Sequence, residues 1–130
     1  PHTITLTDET ATGGILNKIL IQIENERITV RELIRLRVYQ EVAHFNAQQK
    51  LDFNGLVQPL EAERTLNGYR LSAFRKIDPA QQAEIAWKSF EANGFFILAD
   101  NMQAESLDQE LLVGVETTVS FVKLTPLVGG

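Results

Sequence analysis

The amino-acid sequence predicts an α+β fold. Three observations point there: alternating apolar and polar runs at both ends of the chain, two segments with helix-capping signals, and the apolar run Phe95-Phe96-Ile97-Leu98-Ala99 that follows the second of them.

Thr3-Ile4-Thr5-Leu6-Thr7 alternates as a half-buried strand does. The polar stretch Asp8 to Thr12 then reads as a loop leading into Gly13-Gly14, a pair that can reverse the chain because glycine reaches positive φ at no steric cost. Ile15, Leu16, Ile19, Leu20, Ile21 and Ile23 mark a second strand, so the two segments are expected to form an antiparallel hairpin. Thr29-Val30-Arg31-Glu32 is a capping box, flanked by Ile28 and Leu33 at staple positions. Val30, Leu33, Ile34, Val38, Val42 and Phe45 recur at helical spacing behind it, which predicts a helix from about Val30 to about Gln48. Residues 49–77 carry turn signals at Asn54-Gly55 and Asn67-Gly68 and a breaker at Pro59, but too many apolar groups for a solvated linker. Asp78 as cap, Pro79 at the first helical position and Gln81 beyond it open a second helix. Ala83, Ala86, Trp87 and Phe90 form its apolar face, and Asn93-Gly94 stops it. Phe95 to Ala99 is then a buried strand closed by Asp100-Asn101, with a short element near Leu107 to Leu112 and a last strand over roughly Thr117 to Leu124. Pro126 cannot donate a ladder hydrogen bond, so pairing is expected to end there.

Composition excludes several function classes. At 130 residues, 44% hydrophobic and 22% charged, the chain matches one ordinary globular domain. A formal charge of -5 argues against nucleic acid as partner, since phosphate binding needs concentrated positive charge. Without cysteine the chain has no disulfide, no thiolate metal site and no thiol nucleophile. No apolar run is long enough to span a bilayer and no signal-peptide pattern is visible, so no membrane partner is expected and the expected location is cytoplasmic.

The order is hairpin, helix, further strands, final strand, then a tail ending in two glycines. It resembles the β-grasp of ubiquitin and of the sulfur carriers for thiamine and molybdopterin synthesis. The nearest resemblance is to bacterial ubiquitin-like proteins found beside activating-enzyme, conjugating-enzyme and JAB-peptidase homologues. It is carried by Ile28-Thr29-Val30-Arg31-Glu32-Leu33-Ile34, by Gly94-Phe95-Phe96-Ile97-Leu98, and by Val119-Ser120-Phe121-Val122-Lys123-Leu124-Thr125-Pro126-Leu127-Val128-Gly129-Gly130. The fold it implies is a ubiquitin-like β-grasp over residues 1–125, with a helical insertion at about 49–93 between the first helix and the third strand. Residues 126–130 are expected to be a flexible diglycine tail. The insertion is far longer than an ordinary connection, so no ubiquitin partner surface is transferred.

Tail chemistry follows from the residues. A carboxylate becomes an electrophile only as an acyl-adenylate or thioester. Gly129 and Gly130, lacking Cβ atoms, can pass a narrow channel and leave the carbonyl open to attack. Leu127 and Val128, following Pro126, can serve as extended-chain handles, which implies an apolar tail groove in the activating enzyme. On this reading the chain is a substrate and not an enzyme, and it needs no cofactor or metal. The implied partners are an activating-like enzyme, a conjugating-like enzyme, a JAB-type metallopeptidase and target proteins, in bacterial antiphage defence. Two alternatives stay open. One is a sulfur carrier bearing a thiocarboxylate at Gly130; the other is a noncovalent adaptor or self-assembling homo-oligomer whose terminal glycines are idle. Lys18, Lys50, Lys76, Lys88 and Lys123 would permit self-conjugation, with none preferred.

Other candidates have simpler readings. Arg27, Arg31 and Arg35, spaced by four, would line one helix face; a solvated face diluted by Glu24 and Glu32 is the commoner outcome than a docking surface, and Arg37 lies off it. His2 and His44 have no acidic or thiol cluster at ligand spacing. Asp78 and Asp100 read as cap and turn residues, and Gly13-Gly14 lacks the Lys and Ser/Thr of a phosphate loop.

Overall fold

The computed structural model describes residues 2–66 and 68–124. In chain order the elements are β1 (His2–Thr10), β2 (Ile15–Ile23), β3 (Arg27–Thr29), α1 (Val30–Gln48), β4 (Asp52–Phe53), β5 (Ala62–Arg64), β6 (Tyr69–Leu71), α2 (Pro79–Glu91), β7 (Phe95–Ala99), β8 (Met102–Gln103), β9 (Glu110–Leu112) and β10 (Val119–Lys123). This is an α+β protein with a mixed five-stranded sheet. It divides into two compact units, residues 1–32 with 89–130, and residues 33–88.

In the first unit the sheet order is β2-β1-β10-β7-β8. β1 and β2 form the expected hairpin, His2 opposite Ile23 through Asp8 opposite Asn17. Its reversal is tighter than the sequence suggested, because β1 continues through Thr10. Thr10 donates to Gly14 O at 2.8 Å and Gly13 donates to Thr10 O at 3.0 Å, with Gly13 at φ 94°. Ile4, Leu6 and Asp8 of β1, Ile21 and Ile23 of β2, Phe95 and Ile97 of β7, and Val119 and Phe121 of β10 are all buried, alternate residues on their strands. β7 and β8 are joined through Asp100 and Asn101, both left-handed at φ 48° and 68°, the conformation a two-residue hairpin needs. The element expected near 107–112 is β9, which pairs with β3 in a separate two-stranded sheet. Leu107 O and Gln109 O accept the first amides of α1, from Arg31 at 2.8 Å and Val30 at 3.0 Å, so donors that no helical turn can satisfy are used.

The second unit holds α1 from Leu33, a small sheet of order β4-β6-β5, and α2 as far as Lys88. α1 takes the bounds its pattern predicts, and Leu33, Ile34, Val38, Val42 and Phe45 are buried. Phe45 meets Phe53 edge-on, centroids 5.3 Å apart, and Phe74 at 6.0 Å. Asn46 clasps Ile77 through both main-chain groups, donating to its carbonyl at 3.0 Å and accepting from its amide at 2.9 Å. Gln82, buried on α2, donates to Val57 O at 2.9 Å. Asn54-Gly55, read from sequence as a turn, is a close-packing point instead. A Cβ on Gly55 would lie 2.1 Å from the Phe53 ring and 2.5 Å from a Glu41 carboxylate oxygen.

Candidate functional site

Of the residues that sequence reasoning placed at the working end, Pro126, Leu127, Val128, Gly129 and Gly130 lie outside the described residues. What the structure describes is the strand that leads into them. β10 occupies the middle of the five-stranded sheet, parallel to β1 on one side and antiparallel to β7 on the other. A parallel β1–β10 pair cannot come from a hairpin; the chain must cross over between them.

Each end of β10 is fastened. At its start Thr118 donates to the Asp100 carboxylate at 2.9 Å, and Asp100 donates its amide to Thr118 O at 2.8 Å. Along its length Val119, Ser120 and Phe121 are buried, and the Phe121 and Phe95 rings lie 6.0 Å apart. Ser120 shares a hydrogen bond with Thr7 across the parallel pair at 3.0 Å. At its far end the Lys123 ammonium stands 3.8 Å from the carboxylate of Asp8, which is buried. Asp8 is therefore a strand residue with a partner, not the loop residue its polarity suggested. The signal was the inward parity of Ile4, Leu6 and Asp8, which a reading that stops at the first charged residue misses. Leu124, 40% exposed, is the last described residue.

The remaining candidates resolve into local structure. Arg27, Arg31 and Arg35 do not share a helix face, because Arg27 belongs to β3, where the chain is extended. Arg27 lies 3.6 Å from Glu110, Arg31 is 3.3 Å from Asp108, and Arg35 sits over Tyr39 with its guanidinium carbon 5.1 Å from the ring centre. Arg37, which the sequence set off that face, is fully buried and donates to Glu41 at 2.7 Å, a burial that its spacing did not reveal. His2 bonds Val113 O at 2.9 Å and exposed His44 bonds Gln48 at 2.8 Å. Asp78 accepts from the Ala80 amide at 3.0 Å, the expected cap. Among the described residues no cluster of three or more His, Asp or Glu side chains could hold a metal. No helix among them is long and apolar enough to cross a membrane.

Comparison with protein-family models, with curated proteins and with solved structures found no match.

Proposed function

We propose that the chain is a ubiquitin-like protein modifier with a β-grasp fold, acted upon at Gly130 and not itself an enzyme. The observation that carries this reading is the position of β10: a buried central strand, tied at both ends, runs directly into Leu124 and the sequence Thr-Pro-Leu-Val-Gly-Gly. A hairpin followed by a helix, with the last strand returning parallel to the first, is the arrangement expected of a β-grasp. A strand so anchored holds the base of a tail at a defined place while Leu127-Val128 pairs with a partner and the glycines enter its channel. Activation is by adenylation of the Gly130 carboxylate with release of pyrophosphate. Acyl transfer to the activating and then the conjugating enzyme as a thioester expels AMP. Attack by a target amine or hydroxyl releases the enzyme thiol, and a JAB-type metallopeptidase removes the modifier by hydrolysis of the bond so formed. The resemblance to bacterial ubiquitin-like proteins favours antiphage defence as the biological setting. Gly130 serves whether it is the last residue made or is exposed by cleavage behind it.

The test is incubation with ATP and an activating-type enzyme from the same gene neighbourhood, followed by intact mass measurement. Enzyme-linked or target-linked adducts support the modifier. A mass gain equal to exchanging one oxygen for one sulfur would instead identify a sulfur carrier. A chain lacking Gly130 that behaves as the wild type in every assay would leave only the noncovalent adaptor.

A further inference from the structure

Beside the exit of β10 the first unit has an open groove of about 380 Å³, formed where α2 ends, β7 begins and the segment after β8 departs. Phe90, Phe95 and Leu107, all buried, form its floor with half-buried Phe96, and the Phe90 and Phe95 rings are 5.9 Å apart. Glu91 and Glu105 stand exposed on its rim, and among the described residues no Lys or Arg lines it. Glu91 is also the last residue of α2, where the helix dipole adds negative potential.

We propose that this groove is a docking site for an arginine- or lysine-bearing segment of a partner protein. Half-buried Phe96 beside an acidic rim suits a side chain that has an apolar stem and a cationic head: the stem lies against the accessible part of that ring, and the head reaches the carboxylates. Charge selects this occupant over the chain's own tail. Residues 125–130 contain no basic side chain, and a Gly130 carboxylate would be repelled by both glutamates. Lys123 is the register partner of Phe95, so a segment seated here lies next to the base of the tail. If the modifier reading holds, and this clause alone rests on it, the partner is the enzyme that handles that tail.

The experiment titrates the isotope-labelled full chain with an acetylated, amidated peptide, Gly-Arg-Leu-Arg-Gly, and follows amide shifts. Saturable shifts confined to the end of α2, Phe95-Phe96 and residues 103–107 are expected, with none from the counterpart Gly-Glu-Leu-Glu-Gly. Each of Glu91→Gln and Glu105→Gln, both solvent-exposed substitutions that leave the floor intact, should weaken binding about twofold to fivefold. Raising the salt to about 1 M should weaken it further. Absence of saturable shifts, shifts centred elsewhere, or affinity indifferent to both glutamines would overturn the proposal. So would groove shifts that appear on deleting residues 125–130 in the absence of peptide, which would make the tail the occupant. Deleting Gly130 alone should leave peptide binding unchanged, so failure of adduct formation with intact peptide binding counts against the modifier and not against the groove.

Discussion

At the scale of single residues, the most consequential group is Arg37, Glu41 and Gly55 in the second unit. Arg37 is fully buried, and Glu41 meets it with one carboxylate oxygen at 2.7 Å while the other accepts the Leu56 amide at 2.9 Å. Removing one partner of such a pair takes a short charge-assisted hydrogen bond out of a buried site. Arg37→Ala is therefore expected to cost about 3–5 kcal/mol in denaturant unfolding, whereas a paired Arg37→Met, Glu41→Leu exchange should recover much of it. Gly55→Ala forces a methyl into the Phe53 ring and should cost about 1–3 kcal/mol in the same measurement. None of this was legible beforehand. An Arg and a Glu four apart on a helix ordinarily mark a solvated surface pair, and only the chain that folds over them makes the pair an interior one. Asp8 was hidden for the same reason, since a charge breaks an apolar alternation on paper while a lysine from a distant strand satisfies it in the fold.

At the scale of elements, local chemistry carried far. Thr29 accepts the Glu32 amide at 3.1 Å, so the cap read from sequence stands where α1 begins; Thr29→Ala should lower stability by about 1 kcal/mol and shift the thermal midpoint down. The bounds of α1, the hairpin of β1 and β2, and the β7 and β10 strands were likewise visible, because caps, glycines and alternation act over a few residues. The short strands β3, β4, β5, β6 and β8 were not. At two or three residues they have no period of their own, and what defines them is a partner remote in sequence, as Arg27 faces Leu112. Within the large sheet, Phe121 is the element-level keystone: it is fully buried beside Phe95, and Phe121→Ala should cost about 3–5 kcal/mol by chemical denaturation.

For the molecule as a whole, acidity, absence of cysteine and a chain that runs from a buried central strand into two glycines belong together. The α+β class was readable because strand alternation and helix-capping signals both occur along the chain. The arrangement of the sheet was not, since a parallel pairing between the first and last strands depends on contacts that no local window contains. The function we propose places the chemistry at Gly130. That claim is tested most directly by ATP–pyrophosphate exchange on a cognate activating-type enzyme. Wild-type chain should drive the exchange and saturate it, while chains lacking Gly130 or carrying Gly129→Val should drive none above the enzyme alone. Equal exchange with the Gly130-deleted chain, or no exchange with the wild type on an enzyme proven active with another modifier from its own neighbourhood, would contradict the account.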